Sequence, residues 1–464
     1  MSATDVAHAA GGRVARGDAG VAIGRVSIDS RTVEPGDLFV AINGERFDGH
    51  CFVTDALRRG ALGAMVHQAP AGVEEGAGRA LLLIEVEDTT RALQALARHI
   101  RRRSGASVVA ITGSAGKTTT KEVSAEFLSA RFTVFRNKGN LNNHIGLPLS
   151  LLELRARPEV AVVELGMNHP GEIRTLVRVA EPDVRVWTNV GDAHLGFFAS
   201  ADAIADAKAE IVEAAREGDV LVANANDPRV MERIGAFPGR LLTFGIDVPA
   251  DVRATAVENR GLDGVEAEVT TPGGAGRLKT RLLGTGNLAN VLAALAVGTH
   301  FGVSLDRMLD AALRLRPSAH RGELMRLPGG VTLIDDSYNS SPAALKRSLE
   351  TIAGATGSAR KVAILGEMLE LGAHAERLHG ECGRAAAAAG VDLLVTVGGG
   401  PAGTFAREAV AGGIPAGAVT HVASKEQAAE AALRLVRPGD LVLVKGSRGI
   451  GTDLVVERLK QEFA

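Results

Sequence analysis

Short apolar runs alternate with longer stretches of helical spacing along most of the chain. The apolar runs are rich in Val, Ile and Leu, which is typical of strands buried in a parallel sheet. The runs that we predict as strands are residues 107–112, 160–165, 184–190, 219–223, 332–335, 362–365, 393–397 and 441–444. Ala-rich stretches between them have the composition of covering helices. This alternation predicts an α/β protein with mostly parallel sheets.

Two changes of pattern divide the chain into three predicted domains. The first hundred residues close with a basic helix at 90–103, which the pair Ser104-Gly105 stops. Residues 251–283 alternate around interspersed glycines, which predicts an antiparallel hairpin before a helix at 287–300. A third segment with Rossmann-like βα alternation begins near Pro317. We therefore predict domains at residues 1–104, 105–316 and 317–464.

Composition and charge exclude several classes of protein. The chain has 464 residues, enough for about three domains at the roughly 150 residues that one usually needs. With 46% hydrophobic and 23% charged residues, it has the composition of a globular protein and not of a disordered chain. Its 52 basic and 54 acidic side chains give a formal net charge of −2, so no general positive field attracts nucleic acid or an anionic membrane.

Cysteine content and hydropathy indicate the compartment. The two cysteines, Cys51 and Cys382, are too few for a disulfide framework or a thiolate zinc site. No apolar run approaches the roughly 18 residues that cross a bilayer, and the N-terminus lacks the pattern of a signal peptide. We therefore expect a cytoplasmic protein without a membrane span.

A glycine-rich segment between a predicted strand and a predicted helix is a candidate phosphate-binding loop. The segment is Gly113-Ser114-Ala115-Gly116-Lys117-Thr118, and the helix is predicted over 117–130. Loop N–H groups and the positive end of the helix dipole bind phosphates at such a place. Lys117 would neutralise the β- and γ-phosphates, and the Thr118 hydroxyl would complete a magnesium shell. The alternative is a glycine turn followed by an N-terminal threonine. The spacing departs from the common G-x-x-x-x-G-K-[ST] pattern, because Ile111 stands where its first glycine belongs.

Three further residues have both a functional and a structural interpretation. Glu164 ends a predicted strand, at the edge where α/β proteins bind ligands, and is either a magnesium ligand or a solvated strand end. His194 follows the next strand and is expected at the same edge, although a lone histidine is more often structural. Lys208 lies in a helix predicted over 201–215, where spacing alone favours a solvated lysine.

In their order along the chain, these pieces resemble the motifs of the Mur ligase family, the ATP-dependent amide-bond ligases of peptidoglycan precursor synthesis. The motifs are Thr112-Gly-Ser-Ala-Gly-Lys-Thr-Thr119, Glu164-Leu-Gly166, Asn189-Val-Gly-Asp-Ala-His194, Ala207-Lys-Ala-Glu-Ile211, Gly286-Asn-Leu-Ala-Asn290 and Asp335-Asp-Ser-Tyr-Asn-Ser-Ser-Pro342. The resemblance runs from end to end. It implies a first domain that binds a UDP-sugar, a central ATP-binding phosphate-loop domain and a C-terminal ligase domain.

The resemblance also implies catalytic and metal-binding roles. Lys117, His194 and Lys208 are the implied catalytic residues. Lys208 would be carbamylated by carbon dioxide, and the resulting anion would help to hold magnesium, which requires a neutral amine and hence a depressed pKa. Thr118 and Glu164 would hold one magnesium ion, and His194 would hold a second.

Nucleotide and substrate contacts follow from the same resemblance. Besides the phosphate loop and Thr119, it implies that Asn287 and Asn290 read adenine, unless they cap their helix. Arg321 and Asp336 would reach the phosphates and ribose of ATP, although sequence does not separate Asp336 from Asp335. The implied substrate contacts are Ser30, Arg31 and Arg46 for the UDP end and Asn140, Asn142 and Asn143 for sugar or peptide. The arginines are otherwise exposed turn residues, and the asparagines are otherwise turn formers.

Three stretches narrow the resemblance to family members that add D-alanyl-D-alanine to UDP-N-acetylmuramoyl-tripeptide. The stretches are 139–148, 335–339 and Gly366-Glu-Met-Leu-Glu-Leu-Gly372. One departure is Ser340-Ser341, where such members usually have Ala-Asn. The resemblance implies an acyl-phosphate intermediate, no protein nucleophile and a monomeric enzyme.

Other functions remain open from the sequence. Within the family, the alternatives are the ligase that adds the third amino acid to UDP-N-acetylmuramoyl-dipeptide, whose Asp-Asn-Pro-Arg-type motif is missing here, and a folate polyglutamylating enzyme. Outside it, the alternatives are a scaffold without turnover and a nucleotide-switched binding protein. The segment Asn224-Ala-Asn-Asp227 superficially resembles the guanine-reading motif of GTPases, but it lacks the lysine.

Overall fold

A computed structural model describes residues 1–44, 47–68, 81–192 and 195–464. The chain divides into two compact units. The first contains Met1–Ala110, Phe132–Met167 and Gly171–Asp183, and the second contains Ile111–Arg131, Asn168–Pro170 and Val184–Ala464. Within the described residues, no helix is both long and apolar enough to cross a bilayer.

Strands and helices are interspersed along the described chain. The strands of the first hundred residues are β1 (Arg13–Arg16), β2 (Val26–Ser27), β3 (Leu38–Val40), β4 (Gly63–Val66) and β5 (Leu82–Glu85). The helices there are α1 (Ala3–Ala9), α2 (Val53–Arg58) and α3 (Thr89–Ser104). The side chain of Asp88 caps the start of α3, and Gly105 ends the helix with a left-handed φ of 72°.

The middle of the chain carries the strands β6 (Ser107–Thr112), β7 (Val134–Arg136), β8 (Val160–Glu164), β9 (Val184–Trp187), β10 (Val220–Asn224), β11 (Arg240–Ile246), β12 (Val252–Asn259), β13 (Val265–Thr271) and β14 (Gly274–Thr280). They include β8, β9 and β10, which are completely buried. The helices are α4 (Lys117–Ser129), α5 (Gly146–Leu152), α6 (Glu172–Ala180), α7 (Ala201–Ala209), α8 (Pro228–Met231), α9 (Gly284–His300) and α10 (Leu305–Ala312).

The last part of the chain repeats the βα rhythm. Its strands are β15 (Glu323–Arg326), β16 (Thr332–Asp336), β17 (Lys361–Gly366), β18 (Leu393–Val397), β19 (Val419–Val422) and β20 (Leu441–Lys445). Its helices are α11 (Pro342–Ala353), α12 (Ala375–Ala388), α13 (Gly400–Ala411), α14 (Lys425–Leu435) and α15 (Asp453–Glu462).

The first unit contains a five-stranded sheet in the order β1-β5-β4-β3-β2. β1 is antiparallel to β5, and the other neighbours are parallel. The core of this sheet includes Phe39 and Val53, which are almost completely buried. The same unit contains β8 with its parallel neighbour β7. All five residues of β8 are buried, as its continuous apolar run predicts.

The second unit contains two sheet regions. In one, β9, β10, β11 and β12 are parallel neighbours, and β12, β13 and β14 form an antiparallel meander. In the other, the order is β15-β16-β20-β17-β18-β19, in which only β15 is antiparallel to its neighbour. Aliphatic residues such as Leu333, Ile364 and Val442 form the core of this second sheet.

The structure confirms the α/β class with mostly parallel sheets and corrects several element bounds. The helix predicted over 201–215 ends at Ala209, where a 3-10 turn over Glu210–Val212 follows. The strand predicted over 184–190 ends at Trp187. The predicted hairpin at 251–283 has three strands, and the helix that follows it begins at Gly284. The predicted domain boundaries stay a prediction.

Candidate active site

The glycine-rich loop joins β6 to α4, as predicted, and tolerates no side chain at two positions. Gly113 and Gly116 have φ values of +149° and +84°. A Cβ added to Gly113 would lie 1.9 Å from Thr188 Oγ1, and one added to Gly116 would lie 2.1 Å from Asn290 Oδ1. Both glycines are therefore required by conformation and by close packing against neighbouring side chains.

Backbone and side-chain hydrogen bonds hold the loop from one side. Ser114 N donates to Asn189 O at 3.0 Å, and Ala115 N donates to Asn189 Oδ1 at 2.9 Å. Asn189 Nδ2 returns a bond to Ala115 O at 3.0 Å. Gly191 N donates to Ser114 Oγ at 2.9 Å, and that hydroxyl donates to Gly191 O at 3.2 Å. The loop geometry is thus fixed by the segment that follows β9.

The start of α4 presents the groups that bind phosphate in other proteins. Its N-cap is Gly116, which has no side chain to cap the first turn. The positive end of the helix dipole lies at this turn, which carries Lys117, Thr118 and Thr119. Lys117 Nζ donates to Gly113 O at 2.8 Å, so the amine lies over the loop.

A cavity of 490 Å³ in the second unit brings the loop together with residues from α9 and the C-terminal sheet. This volume lies in the range of small-molecule binding sites. The sequence-predicted residues that line it are Ser114, Ala115, Gly116, Lys117, Thr119, Asn287, Asn290, Arg321 and Asp336. Cations in the lining are Lys117, Arg321, Arg347, Lys445 and Arg448, whereas the carboxylates are Asp336 and Glu370. The cavity is therefore suited to a polyanion.

The two consecutive aspartates at the end of β16 have different surroundings. Asp335 is buried, and its carboxylate accepts from Ser337 Oγ at 2.6 Å and pairs with His320 Nδ1 at 2.7 Å. Asp336 lines the cavity, where its Oδ2 accepts from Lys445 Nζ at 2.6 Å and Ser348 Oγ at 2.9 Å. The structure thus separates the pair that the sequence left unresolved.

An aromatic ring anchors two arginines on the C-terminal side of the cavity. The guanidinium carbon of Arg321 lies 4.0 Å from the centroid of the Tyr338 ring, and that of Arg448 lies 5.5 Å from it. Cations over a tyrosine face gain from its quadrupole and are held in one orientation. The ring therefore aims two positive groups at the same cavity.

Asn287 and Asn290 lie on the first turns of α9. Asn287 Nδ2 donates to Leu283 O at 2.9 Å, and Asn290 Nδ2 donates to Asn287 Oδ1 at 3.2 Å. Asn290 Oδ1 also accepts from Thr120 Oγ1 at 3.3 Å. Asn290 thus packs directly behind Gly116 and supports the loop in addition to lining the cavity.

Lys208 is not the solvated lysine that helical spacing favours. Its side chain in α7 is almost completely buried, with 2% of its surface exposed. Burial, with a further contribution from the positive charge of Lys117, lowers the pKa of the Lys208 amine well below its ordinary value. A larger fraction of this amine is therefore neutral at pH 7 than for an exposed lysine.

Glu164 and the asparagine cluster lie in the first unit. Glu164 is 4% exposed at the end of β8, and its Oε1 accepts from Asn142 Nδ2 at 2.9 Å. Asn143 Oδ1 accepts from Ile145 N and Gly146 N, so Asn143 has the turn-forming role that the sequence left open. Asn140 is exposed. Asn142 thus orients a buried carboxylate, a contact that the sequence did not predict.

The remaining predicted residues lie partly outside the described chain. Ser30 is 8% exposed. The exposed Arg31 pairs with Asp29, with Nη2–Oδ2 and Nε–Oδ1 distances of 2.7 and 2.9 Å. Hydrogen bonds from Arg31 lower the pKa of Asp29 to about 2. Arg46 and His194 lie outside the described residues.

Sequence reasoning missed several contributors to the site. Asn189 begins one of the family motifs, but the sequence does not indicate its role. Its contacts with Ala115 form only because two distant segments meet. Ala344, Arg347, Ser348 and Thr351 all line the cavity and are three or four residues apart on α11. That spacing places them on one helix face and is the signal that could have found them. Burial lowers the pKa of the Arg347 guanidinium.

Comparison with known proteins finds sequence models that match three stretches of the chain. Residues 22–101 match the Mur ligase family catalytic domain, residues 111–298 match the Mur ligase middle domain, and residues 320–448 match the Mur ligase glutamate ligase domain. A curated relative from Bacillus subtilis, named UDP-N-acetylmuramoyl-tripeptide--D-alanyl-D-alanine ligase, is 34% identical over 94% of this chain and 92% of its own length.

Solved structures show the same similarity at the level of the fold. A crystal structure of MurF from Acinetobacter baumannii matches with a TM-score of 0.89 and 31% identity, and covers 99% of each chain. The structure of MurF ligase from Thermotoga maritima in complex with ADP matches with a TM-score of 0.81 and 30% identity, over 95% of this chain and 97% of that one.

Proposed function

We infer that this chain, which belongs to the Mur ligase family, joins D-alanyl-D-alanine to UDP-N-acetylmuramoyl-tripeptide in an ATP-dependent reaction. The observation that carries this inference is the similarity over nearly the whole chain to ligases of that name. The cation-lined cavity beside the phosphate loop supports it. A reaction in peptidoglycan precursor synthesis and a cytoplasmic location belong to the same proposal.

The family member that adds the third amino acid is the alternative that the sequence left open. Curated relatives that are 33 to 35% identical over 94 to 96% of the chain carry the D-alanyl-D-alanine name. In addition, Leu369, Glu370 and Leu371 of the 366–372 stretch, which narrowed the resemblance, line the cavity. Both observations favour the dipeptide as the incoming amine.

We propose that Lys117 and the loop amides stabilise the transferring phosphoryl group. The terminal carboxylate of the tripeptide attacks the γ-phosphorus of ATP, the bond to the β-phosphate oxygen breaks, and an acyl phosphate and ADP form. Negative charge then spreads over the equatorial oxygens. Lys117, Arg321 and Arg347 line the cavity in which this charge develops. On binding phosphate, Lys117 Nζ would exchange its bond to Gly113 O for a phosphate oxygen.

Amide formation follows without a protein nucleophile. The neutral amine of D-alanyl-D-alanine attacks the acyl carbon, and the tetrahedral intermediate expels phosphate and loses a proton. The acyl phosphate must be shielded from water until the amine arrives. A cavity shared by the phosphate loop and the C-terminal sheet supports this requirement.

Magnesium fits the donors that the chain offers. No group of three or more His, Cys, Asp or Glu side chains assembles within the described residues, so a metal ion here would depend on phosphate oxygens and a few protein oxygens. We propose that the Thr118 hydroxyl and Glu164 hold one ion, that His194 holds a second, and that Lys208 as a carbamate helps to hold magnesium. Bound magnesium would neutralise phosphate charge. Asn142, by holding Glu164 Oε1, would orient that ligand.

The surroundings of Lys208 support its modification. A neutral lysine amine adds to carbon dioxide, forming a C–N bond and releasing a proton, and a cation is thereby replaced by an anion. Burial and the nearby Lys117 favour the neutral amine. The positive charge of Lys117 disfavours the protonated amine of Lys208, and the same charge would attract the carbamate anion.

Nucleotide and substrate contacts complete the proposal. Asn287 and Asn290 contact adenine, and Arg321 and Asp336 contact phosphate and ribose. Ser30, Arg31 and Arg46 hold the UDP end, and Asn140, Asn142 and Asn143 contact sugar or peptide. The chain acts as a monomer.

The experiment that tests this function is a mass spectrum of the product. The protein is incubated with ATP, magnesium, UDP-N-acetylmuramoyl-tripeptide and D-alanyl-D-alanine, and the expected product is the corresponding pentapeptide. A parallel incubation supplies the UDP-dipeptide with a diamino acid and follows phosphate release. Phosphate release in that incubation, without pentapeptide product in the first, would show that the chain is the third-residue ligase instead.

A further inference from the structure

The last residue of β10 and the turn after it form Asn224-Ala-Asn-Asp227, the motif that superficially resembles a guanine-reading segment. Its side chains bond to the protein backbone. Asn224 Nδ2 donates to Thr188 O at 2.8 Å, and Asn226 exchanges two bonds with the backbone of Ile246, at 2.9 and 2.8 Å. The turn thus ties β10 to the strands on both of its sides.

Asp227 accepts one hydrogen bond in addition to those that form the turn and cap the helix. Its Oδ1 accepts from Arg229 N at 3.1 Å and Val230 N at 3.4 Å, and so caps α8. Its Oδ2 accepts from Val190 N at 2.6 Å. The second oxygen therefore reaches across to the segment that follows β9.

Val190 lies between the two residues that hold the phosphate loop. Asn189 bonds Ser114 N and Ala115 N, and Gly191 exchanges bonds with Ser114 Oγ. The Asp227 carboxylate therefore fixes the centre of a segment whose two ends fix the loop. A carboxylate bonded to a backbone N–H makes a strong, charge-assisted hydrogen bond.

We propose that Asp227 is a positioning residue for the phosphate loop. By holding Val190, it keeps Asn189 and Gly191 in place, and these keep the N–H groups of Ser114 and Ala115 in the arrangement that nucleotide phosphates require. Asp227 acts through the 189–191 segment and does not contact the nucleotide. The inference rests on the proposed function, in that the loop binds ATP.

The test compares nucleotide affinity among variants of the entire 464-residue chain. In Asp227→Ser, the short hydroxyl side chain still caps α8 but does not reach Val190 N. We expect the Kd for ADP with magnesium, measured by calorimetry, and the KM for ATP to rise about tenfold, the change expected for one lost hydrogen bond to a charged group. We expect the KM for D-alanyl-D-alanine to stay within about twofold of the wild-type value.

Asn226→Ala is the matched control in the same turn. It removes the two bonds to Ile246 and leaves the 189–191 segment untouched, so ADP affinity is expected within about twofold of wild type. Asp227→Asn keeps one oxygen in place of two and has no charge, so its ADP affinity is expected to lie between those of wild type and Asp227→Ser, about threefold below wild type. The ADP affinity of this variant tests the proposal if Asp227→Ser does not fold.

Two results would overturn the positioning role. The first is a wild-type ADP affinity in Asp227→Ser together with a lowered melting temperature of that variant. If Asp227→Ser does not fold, the same result in Asp227→Asn would overturn the role. The second is equal weakening in Asn226→Ala and Asp227→Ser. If the wild-type protein binds ADP but makes no dipeptide adduct, the proposed ligase activity fails while the ADP measurements still decide the role of Asp227.

Discussion

At the scale of single residues, the proposed chemistry depends on where two lysines lie. Lys117 is at the start of α4 and faces the cavity, whereas Lys208 is buried in α7. Burial, with a smaller contribution from the charge of Lys117, lowers the pKa of Lys208. The two environments thus favour a cation at Lys117 and a neutral amine at Lys208.

Replacing Lys117 by Ala should reduce turnover by about 10³-fold or more, because the transferring phosphoryl group loses a fixed cation. The measurement is ADP formation at saturating substrates. Lys460→Ala is the control, because that lysine pairs with Glu457 on α15 and should leave the rate unchanged. A Lys117→Ala protein with near-wild-type turnover would remove this residue from the mechanism.

Replacing Lys208 by Ala should lower turnover by about 10²-fold, and formate or acetate should restore part of it by supplying the missing carboxylate. The rate is followed against acid concentration, with wild type, which should not respond, as the control. Labelled carbon dioxide should also give a carbamate signal in wild type alone. If the variant is active and its turnover does not change with acid concentration, Lys208 has only a packing role.

At the scale of elements, the phosphate loop is shaped by what lies behind it. Gly116→Ala should abolish nucleotide binding, because its Cβ would meet Asn290 Oδ1 at 2.1 Å and the residue has a φ of +84°. Gly105→Ala is the matched control, since that glycine also has a positive φ, +72°, but nothing lies within 4 Å of its Cβ. The control should lose about 1 to 2 kcal/mol of stability and keep its ADP affinity. Equal ADP affinity in both variants would contradict the packing argument.

An ion pair between two helices gives a pH-dependent stability. Glu181, just after α6, accepts from Arg98 and Arg102 of α3, and these bonds, chiefly those of Arg102, lower its pKa to about 2. A depressed carboxyl pKa stabilises the folded state above the unfolded value near 4.5, and this contribution disappears as the pH falls towards 2.

Glu181→Gln should therefore lower stability by about 1 kcal/mol at pH 7, after allowance for solvent screening. The difference from wild type should shrink between pH 5 and pH 3, as measured by the midpoint of urea unfolding. Glu457→Gln, which breaks the exposed pair with Lys460, should change the midpoint little at any pH. A Glu181→Gln difference that does not change with pH would exclude the ion pair as its cause.

At the scale of the whole molecule, the sequence predicts strands better than it predicts contacts. β6 and β18 have the predicted bounds, because each is rich in aliphatic residues and is followed directly by a glycine. The end of α7 and the start of α9 were misplaced by several residues, since tertiary packing decides where a helix ends. The role of Asn189 depends on two distant segments meeting, which periodicity along one segment does not encode. The spacing on α11 encodes a common face for Arg347 and its neighbours, but not what that face contacts.

One long-range contact joins the segment after β9 to the 366–372 stretch. Gly196 N donates to Glu370 O at 2.7 Å, and a Cβ on Gly196 would lie 2.9 Å from that oxygen and 3.0 Å from Gly372 N. The stretch is held on its other side, where Leu369 N donates to Ser447 Oγ at 2.9 Å. Because both neighbours of such a Cβ are backbone atoms, the two segments would have to separate.

Gly196→Ala should therefore lower kcat/KM for D-alanyl-D-alanine by about 10- to 100-fold, since Leu369 to Leu371 line the cavity and a shift of about 1 Å misplaces reacting groups. ADP affinity should stay near wild type, because the phosphate loop is held by Asn189 and Gly191 and not by this contact. Gly218→Ala, where nothing lies within 4 Å of the Cβ, is the control and should behave as wild type. Wild-type kinetics in Gly196→Ala would show that this contact is not maintained during the reaction.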